Sequence, residues 1–112
     1  MAYTTLTKVK EWLNIPSSNT QNDAEISNII TSVELDINVT LKAYTTLPLQ
    51  AELIHELSDI SAEWSAGVFR KRRAPVTEAS EQPFIREAKE RLQRFVESYF
   101  ISYFKKTEPL SS

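Results

Sequence analysis

Four groups of side chains in this 112-residue chain are of types that could do chemistry. His55, the one histidine, could move a proton or hold a metal. Glu52, Glu56, Asp59 and Glu63 recur three or four residues apart, a spacing that lines carboxylates along one side of a helix. Arg70, Lys71, Arg72 and Arg73 follow one another without a break. The stretch from Phe95 to Phe104 gathers Phe95, Tyr99, Phe100, Ile101, Tyr103 and Phe104.

The first two groups fall short of a catalytic or metal centre. His55 lies off the apolar stripe of its segment, where a lone histidine is a surface or inter-helix residue. A carboxylate metal site in a helical bundle needs further Glu or His facing inward from other helices, and no other segment offers them. The acidic row therefore reads as a face turned to water. The chain has no cysteine, which excludes a thiol nucleophile, thiolate ligands and disulfides. No phosphate-binding glycine loop, G-x-S-x-G or H-E-x-x-H is present. The expectation is a protein with no catalytic residue, no metal and no cofactor.

The basic and aromatic groups suggest contact instead. Arg70, Lys71, Arg72 and Arg73 either end a helix as solvated cations or meet an acidic partner or a phosphate backbone. In the last two helical turns the apolar residues extend almost all round, wider than the single stripe a small bundle buries. Phe100, Ile101 and Phe104 either cap the chain's own core, dock on another protein or a sister subunit, or rest on a membrane surface. Aromatic anchors at an interface bury much area at modest entropic cost.

The elements that must position these groups are helical. Pro48 to Arg73 reads as one long helix of about seven turns opened by proline. Its core stripe is Leu49, Leu53, Leu57, Ile60, Trp64 and Val68, and its small arc of Ala51, Ser58, Ser61, Ala62, Ser65, Ala66 and Gly67 lets neighbours approach closely. It should be the central helix of a bundle, wet along its acidic side. Before it, Thr5 caps a short helix, Leu6 to Leu13, with Leu6, Val9, Trp12 and Leu13 inward and Lys8, Lys10 and Glu11 outward; Asn14-Ile15-Pro16 ends it. After the polar loop Ser17 to Gln21, Asn22 and Glu25 form a capping box for a second helix that frays at Lys42 or Ala43. Its inner stripe is Ile26, Ile29, Ile30, Val33, Ile37 and Leu41, with Leu35 and Val39 opposite. Ala74 to Pro83 reads as an exposed loop between two prolines. A fourth helix runs from Pro83 or Phe84 to about Phe104, with Ile85, Ala88, Leu92, Phe95 and Tyr99 as its seam and Glu87–Arg91 and Glu90–Arg94 as surface pairs.

Composition agrees with one all-α domain, a four-helix bundle with a long central third helix and an extended C-terminal helix. Residues 1–104 form the domain and 105–112 a flexible polar tail. Hydrophobic residues make up 41% and charged residues 25%, ordinary for a soluble globular chain. The net charge of −2 supplies no general attraction for nucleic acid. No stretch reaches the roughly 18 apolar residues of a membrane span. Two functional classes stay open on these grounds: a structural or partner-binding helical protein, and a small DNA-associated regulator acting through Arg70 to Arg73.

One resemblance favours the first class. Thr5-Leu6, then Val9-Lys10-Glu11-Trp12-Leu13-Asn14-Ile15, a polar break, Asn22-Asp23, and Ile26 with Ile29-Ile30 resemble the opening of the small head–tail connector (adaptor, or head-completion) proteins of tailed phages. The Ser17 to Gln21 loop is longer than that pattern, and one Asp stands at the start of helix two where a pair is common. The resemblance implies a structural virion protein in the neck between capsid and tail, assembled in the host cytoplasm. It implies a homo-oligomeric ring, usually a dodecamer, that docks on the portal protein, offers a platform to a stopper or tail-completion protein, and extends the channel. DNA passes through without sequence-specific binding, and no membrane is involved. On this reading Phe95, Tyr99, Phe100, Ile101, Tyr103, Phe104 and the tail are the portal or subunit contact, Ala74 to Pro83 faces the next ring or a sister subunit, and the acidic row lines the channel.

Overall fold

A computed structural model describes residues 3–47, 49, 51–73 and 82–101, with the side chain of Ile101 excepted. Among these residues the chain forms α1 (Leu6–Trp12), α2 (Asp23–Lys42), α3 (Ala51–Arg73), α4 (Pro83–Val96) and a π turn (Glu97–Ile101). The expected all-α bundle is present, and α3 is its centre, packed on α1, α2 and α4.

The third helix is enclosed more completely than a single stripe would require. Every residue from Ser61 to Gly67 is buried, nearly two full turns. Leu57, Ile60, Trp64 and Phe69 supply the apolar bulk, and Ser61, Ala62, Ser65, Ala66 and Gly67 supply the thin sides where neighbours come near. At Gly67 the approach is tightest. A Cβ there would lie 2.7 Å from Gln82 Oε1 and 2.9 Å from the Ile85 nitrogen. Gln82 is the N-cap of α4, its Oε1 accepting from the Phe84 and Ile85 amides at 2.7 and 3.2 Å. The chain's one glycine thus lets the capped start of α4 sit against α3.

Some boundaries follow expectation and others do not. Thr5 Oγ1 accepts from the Lys8 amide at 3.2 Å, as a cap should. The first helix stops at Trp12 by a Schellman closure. The Ile15 amide donates to the Lys10 carbonyl at 2.9 Å and the Asn14 amide to the Glu11 carbonyl at 3.1 Å. Asn14 supplies the left-handed residue, φ 59°. Proline 16 only forbids resumption. Pro48 lies outside the described residues, Leu49 is buried but not helical, and α3 is helical from Ala51.

Three charged residues are inside, two of which, Lys10 and Glu63, the sequence assigns to water. Lys10 is 3% exposed, its ammonium donating to the Ser17 and Asn19 carbonyls at 3.2 and 2.7 Å and to Asp23 Oδ1 at 2.9 Å, three partners for three protons. It pins the Ser17 to Gln21 loop. Glu34 is buried with its Oε2 accepting from the Tyr3 and Thr4 amides at 2.8 and 3.0 Å and from Ser61 Oγ at 2.9 Å. These bonds fasten the segment before α1 across α2 and α3, and the Tyr3 hydroxyl donates to Asn38 beside them. Burial, and then the Glu34 charge, raise the Tyr3 phenol above its ordinary range. Glu63 is the third.

Candidate functional site

The acidic row is a set of ties and not a bare face. Glu63 is buried, and accepts from Arg91 of α4 at 2.9 Å. Asp59 pairs with Lys8 of α1 at 2.9 Å. Glu56 accepts from the Tyr99 hydroxyl at 2.6 Å, and that bond is the main reason the phenol sits above its ordinary range. Glu52 lies exposed in the first turn of α3, where the helix dipole favours a carboxylate. Glu52, Glu56 and Asp59 are at the surface as expected, whereas Glu63 is corrected to the interior because Arg91 crosses to it. His55 is exposed. Among the described residues no group of three His, Cys, Asp or Glu could hold a metal ion.

The aromatic end divides in two. Phe95 is 5% exposed and Val96 fully buried, so both belong to the chain's own core. Beyond them the backbone leaves the α-helix for the π turn. Five residues cover about 500° in an α-helix, which would throw Phe100 to the far side from Phe95. In a π turn five residues make about one turn. Phe100 therefore returns beneath Phe95, the rings 6.1 Å apart and edge to face, and packs half-buried on the core. Tyr99 stays 41% exposed, 5.0 Å from the Phe95 ring. Beside it Glu56, Ile60, Arg91, Arg94, Phe95, Ser98 and Tyr99 line an open cleft of about 310 Å³. Tyr103 and Phe104 lie outside the described residues, as do residues 74–81 of the expected Ala74 to Pro83 loop, whose last two residues are the cap and first residue of α4.

The basic end of α3 is partly engaged. Arg73 forks onto Glu25 of α2 at 2.7 and 3.1 Å and reaches Asn22 Oδ1 at 3.3 Å. Arg72 shares the same Glu25 Oε2 at 3.3 Å. The Arg73 guanidinium lies 3.7 Å from the Phe69 ring centroid, and Arg70 lies 4.7 Å from that of Phe84. Lys71 is exposed. The expected capping box at Asn22 and Glu25 is accordingly replaced. Asn22 makes no side-chain cap bond, and both side chains turn to Arg73. The guanidinium bond is the largest cause holding the Glu25 carboxyl below its ordinary range.

The chain as a whole is matched by a family model. It is described as phage gp6-like head-tail connector protein, and it covers residues 3–110. The chain belongs to this family. The connector is therefore a structural component of the junction between a phage head and its tail, in a family that is not one of enzymes. No match to it emerged among curated proteins or among solved structures.

The connector's buried polar residues were the part that sequence reasoning missed, although a signal existed. Lys10 is four residues after Leu6 and three before Leu13, and Glu34 is four after Ile30 and three before Ile37. Both stand on the apolar stripe of their helix, where a charge must be either an error of patterning or a buried, fully bonded group. Leu35 and Val39, placed on the far side of α2, are indeed exposed, at 61% and 69%.

Proposed function

We propose that this connector assembles as a ring, in the family's usual form a dodecamer, that docks on the portal and joins it to a stopper or tail-completion protein. The reading rests chiefly on the family match across residues 3–110. The ring extends the channel through which DNA passes without sequence-specific contact, and it assembles in the host cytoplasm before residing in the virion neck. The described helices are the body of the domain, and residues 105–112 are a tail used in docking. Tyr99, Phe100 and Ile101 begin the portal contact, and Tyr103 and Phe104 continue it. Phe95 supports them from inside. Tyr99 is the described member that most fits the role, since it stands exposed at the end of the bundle beside the cleft.

The test is assembly with and without the aromatic end. Negative-stain images of the full chain mixed with portal should show a ring on the portal, and a chain truncated after Ile101 should leave the portal bare while keeping the helical signal of the full chain. Stopping at Ile101 preserves Phe100, which the core uses. Equal decoration of the portal by the truncated chain would remove Tyr103, Phe104 and the tail from the contact. Portal left bare by the full chain would overturn the docking reading itself.

A further inference from the structure

The end of α3 concentrates charge in a way the connector role does not use. Arg70, Lys71, Arg72 and Arg73 occupy its final turn, and among the described residues one carboxylate, Glu25, answers them. That carboxylate is held as an oxyanion ligand would be. Arg73 grips it with a two-pronged fork, and Arg72 shares one of its oxygens at 3.3 Å. The rings of Phe69 and Phe84 lie under Arg73 and Arg70 and hold the guanidinium planes in place. Arg72 and Arg73 nevertheless keep 54% and 44% of their side-chain surface in water. The site is preorganised, and its occupant comes from the same chain.

Charge spacing identifies the external competitor. Four successive residues rise along a helix over only about 5 Å. Duplex DNA carries one charge per about 1.7 Å of its axis with both strands counted, about 3.4 Å on a single strand, so its backbone can face about two cations in that span. An acidic protein helix offers about one carboxylate per turn on a given face, roughly 5.4 Å apart, and meets only one of them. We propose that the cationic end of α3 is a binding surface for the phosphate backbone of duplex DNA, kept closed in the free protein by the Glu25 carboxylate. The contact is independent of base sequence and of ring assembly. With Glu25 in place only Arg70 and Lys71 are at hand, and the free chain binds DNA weakly. Withdrawal of the Glu25 charge adds Arg72 and Arg73.

The test is binding of the full chain to a short fluorescein-labelled duplex of mixed sequence, followed by anisotropy from about 50 to about 200 mM salt. Glu25→Gln should bind about tenfold tighter than the parent at the low-salt end. Its salt slope should steepen by about 1.8, about 0.9 for each arginine released. Adding Arg72→Ala and Arg73→Ala to that variant should abolish the gain. Glu25→Asp, which keeps a carboxylate at the start of α2 but shortens its reach, should fall between and serves if the Gln variant loses its helical signal. A folded Glu25→Gln or Glu25→Asp with parental affinity and slope would overturn the proposal, as would a gain that survives loss of both arginines. An equal gain on polyglutamate would overturn it in favour of an acidic protein partner.

Discussion

Three donors meet on one oxygen of Glu34, and the buried hydroxyl of Ser65 has no hydrogen-bond partner among the described residues. The two sites make opposite predictions although both are polar and buried. Glu34→Ala strands the amides of Tyr3 and Thr4 and the hydroxyl of Ser61. With about 1–3 kcal/mol for each buried donor left unsatisfied, the loss should be at least about 3 kcal/mol. Ser65→Ala removes a hydroxyl that gains nothing from the fold and puts a better helix former in its place, so its effect should lie between nil and about 1 kcal/mol of stabilisation. Urea unfolding followed by circular dichroism measures both. A Glu34→Ala chain as stable as the parent would show that the strap before α1 contributes no stability.

Between elements the narrowest passage is at Gly67. Alanine would favour the helix by about 1 kcal/mol in isolation. Here its methyl meets the Ile85 backbone nitrogen at 2.9 Å, which cannot swing aside like a side-chain tip. Gly67→Ala should therefore cost about 1–3 kcal/mol by forcing α3 and α4 apart, read as a lowered thermal midpoint. The helices themselves were legible because their apolar residues recur at helical spacing: the stripes Ile26 to Leu41 and Ile85 to Phe95 are buried where that period puts them. The small arc around Ser61 to Gly67 was legible as a face for close approach. The partners of the charged residues were not. Whether Glu63 meets water or Arg91, and whether Glu25 caps its own helix or ties down Arg73, depends on how helices distant in sequence are set beside each other. The aromatic end was legible as a change of pattern after Val96, and the change is real. Its cause, a π turn that brings Phe100 back to the core, is a backbone event that α-helical counting cannot express.

For the molecule as a whole, the tie between Glu25 and the end of α3 joins helices separated by nearly half the chain. Because the folded-state carboxyl lies below its ordinary value of 4.5, the tie contributes in full above that value and fades as pH falls through the lowered one. The difference in thermal midpoint between the parent and Glu25→Gln should thus be present at neutral pH and vanish in acid. A difference constant across that range would show that the carboxylate charge is irrelevant to the fold. The net charge of −2 is a poor guide to this surface, since along α3 the carboxylates are spread over the helix while its four cations are gathered in the last turn.

The π turn also alters how the remainder of the polypeptide must be counted. It takes in one residue more than an α turn, so a periodic ruler laid through α4 is a full step out of phase once it passes Val96. Side chains that such a ruler would align with Leu92 and Phe95 are rotated by about 100° from that line. The facing of anything downstream must be reckoned afresh from Ile101, and relatives lacking the turn will superpose on one side of it or the other, but not on both.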